Sequence, residues 1–221
     1  MYLYMTCAYV HVHMCLCTDE RPSIHWFKWQ ADGSVAGQNA EDAACLIRTV
    51  CGFKNLPKFY DIGMLLEDAP LLAWTCAAMA WRVRACRPTH IAGVDARGFI
   101  FGPLVAMHLG LPFLMIRKRG KLPNEAAVSD AYAKEYAEVD GTEQLAVQAG
   151  AVGPGHRVAV VDDVVATGST LVAAESVLRQ LGATVVAHAC VVQLAALGAA
   201  GRLTAPVFAA VDEDDILPPL V

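Results

Sequence analysis

The sequence predicts an α/β fold with a central, mostly parallel sheet flanked by helices. Short apolar runs such as Arg157–Val161 alternate with segments of helical period from about residue 65 onward. Strands that alternate with helices pair in parallel through helical crossovers. Polar clusters follow several of these runs directly, at the place where open α/β sheets bind ligands. The 221 residues, 56% hydrophobic and 18% charged, are enough to bury one large core.

The elements can be assigned in chain order from residue 56. Residues 56–63 are predicted as an extended arm. Residues 65–87 are predicted as a helix, because apolar residues recur at helical spacing up to Pro88. A polar stretch at residues 119–141 has no clear element, which in a compact domain usually indicates a lid or a functional loop. The remaining predictions are strands at residues 90–94, 113–116, 157–161, 183–192 and 207–211, and helices at residues 100–109, 143–149 and 172–181.

The most informative segment joins the strand Arg157–Val161 to the next helix. Two acids, Asp162 and Asp163, follow the strand, and a loop of small and hydroxyl residues follows them. Such a loop at a helix N-terminus closes backbone N–H groups on an anion. A phosphate would repel the two carboxylates, so they are better suited to accepting hydrogen bonds from a diol. The pattern indicates a ribose 5-phosphate site, with these candidate residues: Asp162, Asp163, Ala166, Thr167, Gly168, Ser169 and Thr170.

Charge and motif content argue against several other classes. A net charge of −5 and a pI of about 5.8 give no general attraction to nucleic acid, so no nucleic-acid partner is expected. The loop is not a P-loop, because Ser169 and not Lys follows Gly168. Eight scattered cysteines in a chain of this size indicate free thiols in a reducing compartment.

Two further segments carry a family resemblance. Residues 93–99 read Gly-Val-Asp-Ala-Arg-Gly-Phe, and residues 117–123 read Arg-Lys-Arg-Gly-Lys-Leu-Pro. Together with the acid pair and its loop, these segments closely resemble adenine phosphoribosyltransferase, a type I phosphoribosyltransferase, over about residues 53–212. The resemblance implies the type I fold with a small hood and a mobile catalytic loop. It also implies conversion of adenine and 5-phosphoribosyl-1-pyrophosphate to AMP and pyrophosphate in purine salvage.

The two segments also suit the binding of a doubly charged group. Residues 95–97 form a turn that follows a strand, and residues 117–121 place four cations in five positions of an otherwise acidic chain. Exposed N–H groups and guanidinium groups bind phosphates at such turns. In the family these regions, together with a loop tyrosine, bind pyrophosphate. The corresponding residues here are Asp95, Ala96, Arg97, Arg117, Lys118, Lys121 and Tyr136.

The resemblance also suggests the catalytic and base-binding residues. The family carries a Tyr-x-x-Glu-Tyr sequence in its closing loop, which here corresponds to Tyr132, Glu135 and Tyr136. Glu135 is therefore expected as the general acid/base at the purine N7, with Arg97 as the second catalytic residue. Phe59 is expected to stack on adenine, and Lys58 to contribute main-chain contacts.

Several further expectations follow from the same resemblance. Mg²⁺ is expected to bind mainly through phosphoribosyl pyrophosphate, with no protein metal ligand assigned. The enzyme is expected to be a cytoplasmic homodimer without a membrane partner. Two alternatives stay open: a transferase for another base, such as hypoxanthine, xanthine or orotate, and a non-catalytic sensor of phosphoribosyl pyrophosphate. Glu135 and the lack of a basic DNA-binding segment speak against the sensor.

Residues 1–50 lie outside this resemblance and are predicted as an N-terminal extension, with residues 51–221 as the phosphoribosyltransferase domain. Residues 1–17 contain no Lys, Arg, Asp or Glu, which fits neither the basic start of a signal peptide nor a membrane span. The segment is expected to be poorly ordered or an apolar strand over a subunit surface. The alternating His11, His13, Cys15 and Cys17 are a candidate zinc or copper site that needs a sharp bend, because alternate residues of a straight strand are ~6.5–7 Å apart.

Overall fold

A computed structural model describes residues 2–7, 10–15, 24–25, 40–50, 59–133 and 142–216. The described strands are β1 (Tyr2–Cys7), β2 (Val10–Cys15), β3 (Ile24–His25), β4 (Arg48–Val50), β5 (Phe59–Asp61), β6 (His90–Val94), β7 (Phe113–Lys118), β8 (Glu125–Val128), β9 (Tyr132–Ala133), β10 (Thr142–Glu143), β11 (Leu145–Gln148), β12 (Arg157–Val161), β13 (Val164–Val165), β14 (Thr184–Gln193) and β15 (Val207–Asp212). The described α-helices are α1 (Ala40–Cys45), α2 (Gly63–Glu67), α3 (Ala69–Arg84), α4 (Gly98–Leu109) and α5 (Ser169–Gln180).

The fold is organised around an eight-stranded sheet with the order β13-β14-β12-β6-β7-β11-β8, in which β15 also pairs with β14. Strands β7, β6, β12, β14 and β15 are parallel to their neighbours within this group. Strand β11 joins β7 and β8 in antiparallel pairing. The predicted mostly parallel sheet is therefore confirmed.

Helices cover both faces of this sheet, as expected for a parallel sheet. On β12, Ala159 and Val161 face a core that includes buried residues of α1, α3 and α4. The alternate residues Val158 and Val160 face a second core that includes α5. The strand is buried on both sides, which explains its continuous apolar sequence.

The predicted helix at residues 143–149 is wrong, because this segment forms β10 and β11. Leu145, Ala146 and Val147 are all buried, and β11 pairs with a strand on each side. A short apolar run that is buried on both faces has no alternation, so its period does not separate a strand from a helix. The polar stretch before it also contains the short strands β8 and β9.

The single helix predicted at residues 65–87 is two helices, α2 and α3. Asp68 ends α2 and caps α3, since its carboxylate accepts a hydrogen bond from the Leu71 N–H at 2.9 Å. Pro70 lies in the first turn of α3, where its missing N–H has no intrahelical partner to lose. An N-cap followed by proline starts a new helix even where the apolar spacing continues.

Residues 40–50 pack on one of the two cores of the central sheet. Ala43, Ala44 and Ile47 are at most 1% exposed, and β4 pairs with β5 so that Val50 lies opposite Phe59. Further upstream, β1 and β2 form an antiparallel pair, and β3 adds to β2.

The cysteines Cys45, Cys76, Cys86 and Cys190 are free. Among the described residues, no helix is both long and apolar enough to cross a membrane.

Candidate active site

Three loops converge at the carboxyl edge of the central sheet. Strand β6 lies between β12 and β7, and all three run in the same direction. The residues that follow them, 95–97, 119–121 and 162–170, therefore emerge at one edge, where parallel sheets bind ligands. Gly98 brings the start of α4 to this edge, because a Cβ there would lie 2.5 Å from the Val161 carbonyl oxygen. The predicted sites on separate motifs thus lie side by side.

Arg97 connects two of these loops. Its Nε lies 2.9 Å from Asp163 Oδ2, and its guanidinium carbon lies 5.4 Å from the centre of the Phe59 ring. The ion pair is not aligned as a hydrogen bond, so Asp163 Oδ2 is a buried acceptor without a hydrogen bond among the described residues. The guanidinium therefore lies between the acid pair and the aromatic ring expected to contact adenine.

The acid pair is held rigidly and is costly to charge. The Asp162 N–H donates to the Ala189 carbonyl, and the Asp163 carbonyl accepts from Val191 and Val192, so β14 fixes the backbone. Burial raises the pKa of Asp162 well above its usual range, and Asp163 raises it further. Burial also raises the pKa of Asp163, although Arg97 opposes the shift. Hydroxyl donors supplied by a ligand would stabilise the charged form of these two buried carboxylates.

The loop after the acid pair forms the start of α5. Gly168 has a φ of 78° and immediately precedes the first residue of α5, Ser169; this left-handed conformation favours glycine. The hydroxyl oxygens of Thr167 and Ser169 lie 3.0 Å apart. The residues singled out in the sequence, Ala166, Thr167, Gly168, Ser169 and Thr170, therefore do meet at a helix N-terminus. Hydroxyls and N–H groups at such an end can bind a phosphate.

The predicted pyrophosphate cations lie at the end of β7 with acidic partners. Arg117 Nε donates to Asp95 Oδ2 at 3.1 Å, and Lys118 Nζ donates to Glu143 Oε1 at 2.6 Å. Arg117 also donates to the Lys121 carbonyl at 3.3 Å. Ala96 is an exposed residue of the turn between β6 and α4. Such charge-assisted contacts hold the cations in place beside the site.

Three predicted site residues, Lys58, Glu135 and Tyr136, lie outside the described residues. Their neighbour Tyr132 is half-buried and packs against the core that includes α5. Burial raises the pKa of Tyr132 to about 12. The beginning of the predicted lid, β9, therefore lies against α5. Likewise, β2 contains His11, His13 and Cys15, while Cys17 lies outside the described residues, so a metal site there stays a prediction.

Sequence reasoning missed Arg202, which reaches the loop from the connection between β14 and β15. Its Nη1 donates to the Thr167 carbonyl at 2.9 Å and to Ser169 Oγ at 3.2 Å. No local motif marks this arginine, which follows Ser169 by 33 residues. Only the folded arrangement brings it to the loop.

Comparison with known proteins supports the same class of site. The model of the phosphoribosyl transferase domain family matches residues 65–205. The chain is 44% identical over 149 residues to adenine phosphoribosyltransferase of Rhodospirillum rubrum, covering 67% of this chain and 84% of that protein. It is 42% identical over 190 residues to adenine phosphoribosyltransferase 1 of Triticum aestivum, covering 84% of this chain and 98% of the relative. The chain therefore belongs to the phosphoribosyl transferase family.

Solved structures agree with this family and are similar to the chain specifically among adenine phosphoribosyltransferases. One is adenine phosphoribosyltransferase of Saccharomyces cerevisiae, in complex with an imino-altritol bisphosphate and adenine. It matches with a TM-score of 0.71 at 30% identity, covering 78% of this chain and 98% of that one. Another is the Trypanosoma brucei enzyme in complex with AMP, pyrophosphate and ribose 5-phosphate. It matches with a TM-score of 0.71 at 29% identity, covering 80% of this chain and 79% of that one. The predicted fold and the resemblance to adenine phosphoribosyltransferase are confirmed.

Proposed function

We propose that the carboxyl edge of this sheet transfers the phosphoribosyl group of 5-phosphoribosyl-1-pyrophosphate to adenine. The reaction gives AMP and pyrophosphate, so the chain is a purine-salvage transferase. The observation that carries this proposal is the meeting of the acid pair, the phosphate loop and Arg97 beside Phe59. A sugar phosphate, a leaving pyrophosphate and a flat base need these three kinds of surface within one site.

The sugar phosphate binds at the loop and the acid pair. The 5-phosphate accepts hydrogen bonds from the N–H and hydroxyl groups of residues 166–170, at the positive end of α5. The ribose hydroxyls donate to Asp162 and Asp163, which only accept while they are charged. This orientation presents the anomeric carbon to the side where Arg97 lies.

The pyrophosphate leaves among the cations of two neighbouring loops. Its charge grows as the bond to the anomeric carbon breaks, and Arg97, Arg117, Lys118 and Lys121 stabilise this charge. The Ala96 N–H lies in the same turn, whereas the Asp95 N–H donates to the Ile116 carbonyl at 3.0 Å. Mg²⁺, which prefers oxygen ligands, would be held mainly by the pyrophosphate; the nearby acid pair would favour the added positive charge, although Asp163 Oδ2 already faces Arg97 Nε at 2.9 Å. When bound, Mg²⁺ neutralises part of the phosphate charge.

Adenine lies against Phe59 and attacks the anomeric carbon through its N9. Phe59 stacks on the base, and Lys58 contributes main-chain contacts. Glu135 exchanges a proton with the purine N7 as the new bond forms. Tyr136 closes with Glu135 over the pyrophosphate, so that water is kept from the activated sugar.

The wider organisation belongs to the same proposal. The transferase unit is residues 51–221 together with the packed residues 40–50, and the preceding residues are an extension. The enzyme acts in the cytoplasm as a homodimer, without a nucleic-acid or membrane partner. The net charge of −5 supports the first of these exclusions.

A base-selection assay tests the proposed function. Purified protein is supplied with Mg²⁺, phosphoribosyl pyrophosphate and one of adenine, hypoxanthine, guanine or orotate, and nucleotide formation is followed by chromatography. We expect AMP from adenine and little product from the other bases. Product from hypoxanthine or orotate alone would refute the choice of base. No product from any base, with intact binding of phosphoribosyl pyrophosphate, would favour a sensor.

A further inference from the structure

Arg202 is an exposed arginine that holds two groups of the phosphate loop at once. Its Nη1 donates to the Thr167 carbonyl at 2.9 Å and to Ser169 Oγ at 3.2 Å. Its Nη2 and Nε form no hydrogen bond with the described residues. Arg202 therefore contacts the loop through Nη1 alone.

The contact with Ser169 affects what its hydroxyl can do. A serine hydroxyl has one donor and two acceptor positions. Arg202 occupies one acceptor position of Ser169 Oγ, and Thr167 Oγ1 lies 3.0 Å from the same oxygen. If both neighbours donate to Ser169 Oγ, its own proton is left for an anion at the N-terminus of α5. Hydrogen bonds linked in this way polarise one another, so the final donor is strengthened.

A buried pair holds the segment that carries Arg202. The Thr204 N–H donates to both carboxylate oxygens of Glu175, at 3.0 and 3.2 Å. Glu175 Oε1 also lies 2.8 Å from Nε2 of the fully buried His188. Burial alone would raise the pKa of Glu175, but the hydrogen bonds from His188 and Thr204 lower it. A charged Glu175 only accepts, so His188 donates through Nε2.

These contacts connect β14, α5 and the Arg202 segment into one support. Glu175 lies on α5, the same helix whose first residue is Ser169. A shift of the Arg202 segment away from α5 would break the bonds to Thr204 and leave a buried carboxylate with fewer partners, which is costly. The position of Arg202 relative to the loop is therefore set by buried groups and not by surface side chains alone.

We propose that Arg202 is a positioning residue for the 5-phosphate site, acting through Ser169 and the Thr167 carbonyl and fixed by the Thr204–Glu175–His188 support. The proposal rests on the proposed function, because it takes the anion at the loop to be the phosphate of the sugar substrate. Loss of Arg202 should therefore weaken binding of the sugar phosphate and leave binding of adenine unchanged.

The test compares Arg202→Gln with the conservative Arg202→Lys and with Arg84→Gln. Arg84 is an exposed arginine in the last turn of α3, outside the residues assigned to the site. We expect Arg202→Gln to raise KM for phosphoribosyl pyrophosphate about tenfold, as for a lost hydrogen bond to a charged group. KM for adenine and kcat should stay within about threefold of the parent. Arg202→Lys should recover part of the loss, and Arg84→Gln should match the parent.

A double-variant cycle tests the route through Ser169. Ser169→Ala removes the hydroxyl that Arg202 orients, so Arg202→Gln should cause a smaller increase in KM in that background. Equal increases in both backgrounds would overturn the role of Ser169. An unchanged KM for phosphoribosyl pyrophosphate, or equal increases for both substrates with a lower Tm, would overturn the positioning role.

Titration with ribose 5-phosphate separates this proposal from the proposed function. It measures the phosphate site without adenine or product formation. We expect the Kd of Arg202→Gln to rise about tenfold, in step with KM. A failure of the parent to make AMP would refute the proposed function, while the change in this Kd would still decide the role of Arg202. An equal Kd for variant and parent, or no binding by the parent, would overturn it.

Discussion

Replacing Asp162 with Asn should weaken binding of phosphoribosyl pyrophosphate and at the same time stabilise the unliganded fold. The substitution keeps the size of the side chain but removes its charge. A hydrogen bond between a charged group and a hydroxyl contributes ~1.5–3 kcal/mol. Loss of one such bond should therefore raise KM for phosphoribosyl pyrophosphate about ten- to hundredfold. Initial rates at saturating adenine measure this constant.

The expected gain in stability follows from the raised pKa of Asp162. Burial raises this pKa above its usual range, so between the unfolded and folded pKa values the folded state binds more protons than the unfolded state. Stability contributed by this group then falls as the pH rises through that window. Above that window's lower limit, keeping Asp162 in the fold costs free energy, either as a buried charge or as a bound proton, and Asn removes this cost. The Tm of Asp162→Asn should exceed that of the parent at pH 7, and the two should converge toward pH 4.

The exposed Asp214 offers a matched control, and Asp214→Asn should change neither KM nor Tm. Asp163→Asn should show a smaller gain in Tm than Asp162→Asn, because it also removes the ion pair with Arg97. An unchanged KM in Asp162→Asn would refute the assignment of the acid pair to the ribose hydroxyls. A lower Tm at pH 7 would refute the argument from burial.

Three further predictions concern the base, the lid and the N-terminus. Phe59→Ala should raise KM for adenine about 5- to 100-fold, on the scale of ~1–3 kcal/mol for base stacking, and raise the constant for the sugar less; equal increases with a lower Tm would make Phe59 only a packing residue. Glu135→Gln should lower the single-turnover rate ~10²- to 10⁴-fold with little change in substrate Kd; a rate within a few-fold of the parent would remove Glu135 from proton transfer. Deleting residues 1–38 should leave activity intact, whereas deleting residues 1–50 should abolish stable folding, because Ile47 and its neighbours are buried. Thermal denaturation and rate assays compare the two deletion variants, and an equal Tm for both would contradict this packing.

The parts of the site that follow a strand could be predicted from the sequence. Asp162, Asp163 and the loop to Thr170 are contiguous, and their chemistry is local to one turn between a strand and a helix. The turn at residues 95–97 is local in the same way. Parallel pairing of β6 with β12 and β7 then brings these separate turns together. This convergence follows from the fold class alone.

The missed features depend on tertiary contacts or on competing local signals. Leu145–Gln148 is a strand because β7 and β8 pair with it, and its short apolar sequence does not contain that information. The break at Asp68 has a local signal, namely an N-cap residue followed by Pro70. The apolar spacing continues across it, however, and by itself favours one helix. Arg202 has no local signal at all, since its position depends on Thr204 and the buried Glu175.

A crystal structure with AMP tests the central claim most directly, namely that one edge of the sheet binds the nucleotide through the assigned residues. We expect the phosphate within hydrogen-bond distance of the N–H groups of Gly168 to Thr170, and the ribose hydroxyls on Asp162 and Asp163. The adenine ring should lie against Phe59. AMP bound elsewhere, or bound here with its ribose away from the acid pair, would contradict the account.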